Sequence, residues 1–100
     1  MNVSVSPDAE RELIDGAKFY AERADRELGL AFIDEFVRAK DLLSTNPMIG
    51  AQWRRSTRRM PLRRFPYNVV YQLRGQEVRI IALAHQRRRP GYWTDRTGGD

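Results

Sequence analysis

Two runs rich in β-branched and aromatic residues, Tyr67 to Leu73 and Val78 to Ala84, flank the polar segment Arg74-Gly75-Gln76-Glu77. Runs of strand length joined by a short, glycine-containing connection specify a β-hairpin. The second run passes straight into His85-Gln86-Arg87-Arg88-Arg89-Pro90-Gly91-Tyr92-Trp93. A series of arginines therefore ends in two aromatics just outside the sheet, and everything upstream reads as scaffold for this end.

That scaffold begins with Asn2 to Ser6, where Val3 and Val5 alternate with polar residues as in a short strand. Ser6-Pro7-Asp8 is a helix start, with a capping hydroxyl, proline at the first helical position and acid in the first turn. Ala9, Leu13, Ala17, Tyr20 and Ala24 then recur every three or four residues, so the spacing predicts a helix from Pro7 to about Arg23. A second stripe, Leu28, Phe32, Phe36, Ala39 and Leu43, runs to the stop at Ser44-Thr45-Asn46-Pro47. Two helices so closely joined lie antiparallel, and their shared apolar side needs a sheet to cover. Met48 to Thr57 holds a weaker strand around Gln52-Trp53-Arg54-Arg55. Arg58 to Arg64 alternates but is broken by Pro61, as at a sheet edge. The order β-α-α-β-β-β predicts an α+β fold, an antiparallel sheet with an N-terminal helical hairpin on one face. One domain spans residues 1–94, and residues 95–100, with Gly98-Gly99, are expected to be a loose tail.

Charge is divided along the chain. Residues 1–50 carry 6 Lys+Arg and 10 Asp+Glu, net −4, whereas residues 51–100 carry 12 and 3, net +9. All twelve cations of the second half are arginines, whose planar fork grips carboxylate or phosphate with two parallel hydrogen bonds. An anionic partner is the natural expectation. There is no cysteine, which removes disulfides, thiolate zinc sites and cysteine nucleophiles and suits a reducing cytoplasm. Met1 to Val5 is too short and polar for a signal peptide, and no apolar run approaches the roughly 18 residues that cross a bilayer. A soluble cytoplasmic protein without membrane association is expected.

Within the basic half, arginines 54, 55, 58, 59, 63, 64, 87, 88 and 89 come from two segments that the hairpin makes neighbours. They form either a basic concave surface or a solvated face. His85 is the only histidine; it can serve as a packing residue or as a proton-transfer group beside phosphate clamps. With no second histidine and no carboxylate cluster beside it, no metal or other cofactor is expected. Tyr92 and Trp93 can stack on a base, insert into a partner's pocket, or fold back as a lid over the sheet edge.

Taken together, Arg63-Arg64-Phe65-Pro66-Tyr67-Asn68-Val69-Val70-Tyr71, the hairpin, Ile81-Ala82-Leu83-Ala84-His85-Gln86-Arg87-Arg88-Arg89-Pro90-Gly91-Tyr92-Trp93, the early Pro7-Asp8-Ala9 and the late Asn46-Pro47 resemble the RelE/ParE family of type II toxin–antitoxin toxins. This group includes the plasmid stabilisation proteins. The resemblance covers nearly the whole chain and implies a helical hairpin on an antiparallel sheet. It also implies two possible mechanisms. In one branch the toxin cleaves mRNA in the ribosomal A site, basic residues holding the scissile phosphate while a positioned group activates the ribose 2′-hydroxyl. On that reading Arg64, His85, Arg88 and Tyr92 are the catalytic candidates. That branch usually carries arginines where this chain has Asn68 and Gln86. Each guanidinium replaced by an amide removes a charge-assisted bond to the transition state, about 2.7–4 kcal/mol by analogy with an oxyanion donor. His85-Gln86-Arg87 is more similar to the ParE branch, whose members poison DNA gyrase by trapping cleaved DNA, without chemistry by the toxin.

The leading expectation is thus a ParE-like toxin that inhibits growth through DNA gyrase, with Arg63, Arg64, Arg87, Arg88, Arg89, Tyr92 and Trp93 contacting the target. A ribosome-dependent mRNA endonuclease is the alternative, and an arginine-rich nucleic-acid-binding module the third class. The partner that the resemblance implies is a cognate antitoxin, a small DNA-binding protein with an acidic segment, forming a hetero-oligomer with the toxin. It is expected over Leu28, Phe32 and Phe36 of the helical hairpin and over Arg58 and Arg59.

Overall fold

The computed structural model describes residues 1–98. Strand β1 (Asn2–Val5) leads into α1 (Pro7–Arg23) and α2 (Arg26–Thr45), followed by β2 (Ala51–Gln52), β3 (Arg58–Pro61), β4 (Tyr67–Arg74), β5 (Glu77–His85) and a 3-10 turn at Thr94–Arg96. One five-stranded sheet has the order β1-β5-β4-β3-β2. Three of its pairings are antiparallel, and β1 runs parallel to β5. The α+β architecture is the expected one. The sheet is mixed rather than wholly antiparallel because the chain passes through both helices between β1 and the rest of the sheet. A two-residue β2 adds a fifth strand beside β3.

Both helices start as their sequences dictate. Ser6 Oγ accepts from the Ala9 amide (3.1 Å), and Asp25 caps α2 by accepting from the Leu28 amide (2.8 Å), satisfying backbone donors that a first turn leaves open. Only Ala24 and Asp25 separate the helices, so they return antiparallel and in close contact. At Gly29 an added Cβ would lie 2.7 Å from the Ala17 carbonyl oxygen, and at Gly16 it would lie 2.6 Å from the Phe32 ring. The hairpin needs glycine at both crossings.

The helices cover one face of the sheet. Phe32, Phe36, Ala39 and Leu43 meet Val69, Tyr71, Val78, Ile80 and Leu83 in the main core. Tyr20, Phe32, Phe65 and Tyr67 form an aromatic cluster, with centroid separations from 4.8 to 5.4 Å. Edge-on arrangements of this kind add to the stabilisation from area burial alone. Tyr71 ties the segment after α2 to the sheet: its hydroxyl donates to the Pro47 carbonyl and accepts from the Gly50 amide, both at 2.8 Å.

The opposite face holds a second, smaller core of Val70, Ile81, Ala82, Ala84 and Trp93, flanked by Trp53 and Tyr92. It is enlarged by a register shift at Val70/Tyr71, where Val70 pairs with Ala82 and Tyr71 with Ile80. Ile81 is the extra residue of a bulge, and both Ile81 and Ala82 join this cluster. The expectation of a loose tail from residue 95 does not hold for residues 95–97. Thr97 is buried, and Arg96 donates to Glu12 and to the Ile81 carbonyl. Residues 99–100 lie outside the described residues. Among the described residues no helix is long and apolar enough to cross a membrane.

Candidate functional site

On the sheet face away from the helices, Arg59 of β3, Asn68 of β4, His85 and Gln86 at the end of β5, and Arg88, Arg89 and Tyr92 of the following segment line one depression. Trp53 and Trp93 lie beneath it. Arg59, Asn68 and Gln86 also line an adjoining open hollow of about 570 Å³. Register explains the grouping. Arg59 pairs with Val70, two residues from Asn68 along β4, so both project on the side of the second core.

The cations here are held by aromatic rings. The Arg59 guanidinium carbon lies 4.3 Å from the Trp53 centroid, and Trp53 packs on Trp93 at 5.1 Å. Arg88 lies 4.0 Å over Tyr92. Stacked in this way, a guanidinium keeps its N–H edge available for an anion. Among the described residues no acidic side chain lines the depression or the hollow. Among the described residues no carboxylate forms a salt bridge with Arg59, Arg88 or Arg89. The surface is therefore electropositive and rich in donors.

Tyr92 is anchored at the margin of this site. Strand β1 ends at Val5, opposite Ile80, which leaves the next stretch of the β5 edge without a neighbour. Glu12 of α1 fills the gap, accepting from the Leu83 amide (3.0 Å), from the Tyr92 hydroxyl (2.6 Å) and from Arg96 Nη1 (3.0 Å). Arg96 in turn donates to the Ile81 carbonyl (3.1 Å) and lies 3.6 Å from Asp8. Burial, and next the bond to the Glu12 carboxylate, push the Tyr92 phenol far above its ordinary pKa. At neutral pH it is a fixed, protonated donor. His85 accepts from the Arg87 amide at Nδ1 (3.0 Å), and its ring meets Tyr67 edge-on at 5.0 Å.

The residues singled out from the sequence are not all brought together. Of the target-contact set, Arg88, Arg89 and Tyr92 line the depression, and Arg87 is exposed beside it. Trp93 is fully buried and forms the floor rather than an exposed tip. Its indole meets the apolar residues that the bulge leaves on this face. Arg63 and Arg64 lie on the β3–β4 loop and line neither the depression nor the hollow. The Arg63 amide donates to Glu35 Oε2 (2.6 Å), and Arg64, at φ 70°, stacks on Phe65. Arg64 therefore does not join His85, Arg88 and Tyr92. In the set assigned to the antitoxin, Phe32 and Phe36 are sealed inside the core and Leu28 is half-buried. Arg58 donates to the Gly50 (2.7 Å) and Met48 (3.2 Å) carbonyls, and Arg59 belongs to the depression.

Glu12, Arg96 and Trp53 were not among the residues the sequence marked out. Glu12 sits beside the Ala9–Leu13 stripe of α1, a placement that brings a carboxylate close to the buried face. That was the available signal.

A family model described as the ParE toxin of the type II toxin–antitoxin system parDE matches residues 3–90. No curated protein matches the sequence. Among solved structures, a chain of the chromosomal ParDE toxin–antitoxin system from P. aeruginosa is similar, with a TM-score of 0.77 and 19% identity. The match covers 85% of this chain and 95% of that one. With the helical hairpin on one sheet face, the guanidinium-lined depression on the other, and a family match across nearly all of its length, the chain belongs to the ParE toxin family of type II toxin–antitoxin systems.

Proposed function

We propose that this toxin arrests growth by poisoning DNA gyrase in the cytoplasm, through binding rather than catalysis, and that a cognate antitoxin neutralises it. The observation that carries this reading is the chemistry of the depression. Two neutral amides, Asn68 and Gln86, stand among its arginines, and the only phenol at its margin is committed to Glu12. Such a surface binds an anion well. It is poorly equipped to cleave a phosphodiester, since the two amides cannot supply the positive charge that steadies the transition state. Purified toxin added to gyrase supercoiling and cleavage reactions should block supercoiling and accumulate cleaved DNA at micromolar concentration. Absence of both effects rejects gyrase as the target.

A second reading has one observation in its favour: His85, Arg88 and Tyr92 do line the same depression. A ribosome-dependent endonuclease would give toxin-dependent cuts in translated mRNA by primer extension, and Tyr92→Phe and His85→Ala would abolish them. The antitoxin's acidic segment would meet the cationic half of the molecule, so association should slow as salt rises. An association rate indifferent to ionic strength counts against that partner chemistry.

A further inference from the structure

We propose that the depression is a phosphodiester subsite, holding a backbone phosphate of DNA between Arg59 and Arg88. The inference rests on the reading that the toxin acts on a DNA-bound target and names what one part of it contacts. Two features favour a phosphodiester.

Arg59 and Arg88 come from different elements, and each is stacked on an aromatic ring, at 4.3 Å and 4.0 Å. Their planes are thus fixed before any ligand arrives, and little side-chain entropy remains to be lost on binding. Asn68 and Gln86 supply amide donors, and no carboxylate of the described residues intrudes.

A phosphodiester presents two unesterified oxygens and no hydrogen to donate, matching a site made chiefly of donors. An acidic peptide would also meet the arginines, but a docking peptide takes its energy from apolar anchors. Of the exposed large apolar side chains among the described residues, Ile14, Phe19, Leu30 and Val37 are on the helices, and of Met1, Met48 and Ile49 only Ile49 lines the adjoining hollow.

The test is fluorescence anisotropy with a labelled mixed-sequence DNA duplex of about 20 base pairs, titrated at several salt concentrations. The Arg59→Gln/Arg88→Gln variant should weaken binding at least tenfold and reduce the salt slope by about 1, because the two arginines share one phosphate. Lys18→Gln/Arg26→Gln, which removes equal charge from the exposed side of the helices, should leave the slope within about 0.3 of the parent's. Circular dichroism confirms that each variant is folded. Equal losses in the two double variants overturn the subsite, as does binding of a glutamate-rich peptide without binding of DNA. Gyrase poisoning retained in full by Arg59→Gln/Arg88→Gln also removes it and leaves the gyrase reading standing. DNA binding through the depression without any effect on gyrase does the reverse.

Discussion

At the residue scale the most connected side chain is Glu12, whose carboxylate joins α1 to the β5 edge, to Tyr92 and to Arg96. Removing it strands the Tyr92 hydroxyl and a backbone amide that no strand can pair, and leaves Arg96 with the Ile81 carbonyl and Asp8. Hydrogen bonds to charged acceptors contribute about 1.5–3 kcal/mol, and an unsatisfied buried group costs a similar amount. Glu12→Ala should therefore destabilise the fold by about 3–5 kcal/mol in urea. Tyr92→Phe, which loses one of the three bonds, should cost about 1.5–3 kcal/mol. The two changes should be sub-additive, with a coupling near 1–2 kcal/mol in a double-mutant cycle. Strict additivity would show that the bond between them contributes nothing. The sequence did mark Tyr92, as an aromatic following an arginine run. It could not reveal that the hydroxyl faces a glutamate 80 residues away, because that contact depends on where β1 stops pairing.

Among the elements, the β4–β5 hairpin was legible because the runs and their glycine-bearing connection agree. The β2–β3 connection was not. It turns through Arg54-Arg55-Ser56-Thr57, with the Thr57 amide bonded to the Arg54 carbonyl at 3.0 Å. Its central residues Arg55 and Ser56 have φ of 56° and 60°. A tight turn with two left-handed residues normally advertises itself by Asn-Gly, and here nothing in the sequence does so. The strain is correspondingly removable. Replacing Arg55-Ser56 by Asn-Gly should raise stability by about 0.5–1 kcal/mol, seen as a higher urea midpoint at unchanged m value. No gain would mean that lost side-chain contacts of Arg55 outweigh the relieved backbone. Gly29 poses the opposite case. A methyl group there meets a carbonyl oxygen of α1 at 2.7 Å, and Gly29→Ala should cost about 1–3 kcal/mol by forcing the helices apart, despite alanine's better helix propensity.

Across the whole molecule, one sheet separates two apolar layers, and all four tyrosines are set into or against them. Burial is the largest cause raising the phenol pKa of Tyr20, Tyr67, Tyr71 and Tyr92. The consequence for stability has a definite sign. Below about pH 10 the phenols are protonated in both folded and unfolded chains and contribute no pH dependence. Above it the unfolded chain releases phenolic protons that the folded chain retains, so the unfolded state is favoured and stability falls as pH rises. The decline should steepen between pH 10 and 11, and it should be shallower in Tyr92→Phe, which removes the phenol under the strongest restraint. Absorbance of the phenolate band supplies the check: folded protein in that range should show far less ionised tyrosine than the same protein in concentrated urea, with the missing signal appearing on unfolding. Equal phenolate in both states would mean that the four hydroxyls are solvated, and that neither the Glu12 anchor nor the Tyr71 tie to Gly50 holds in solution.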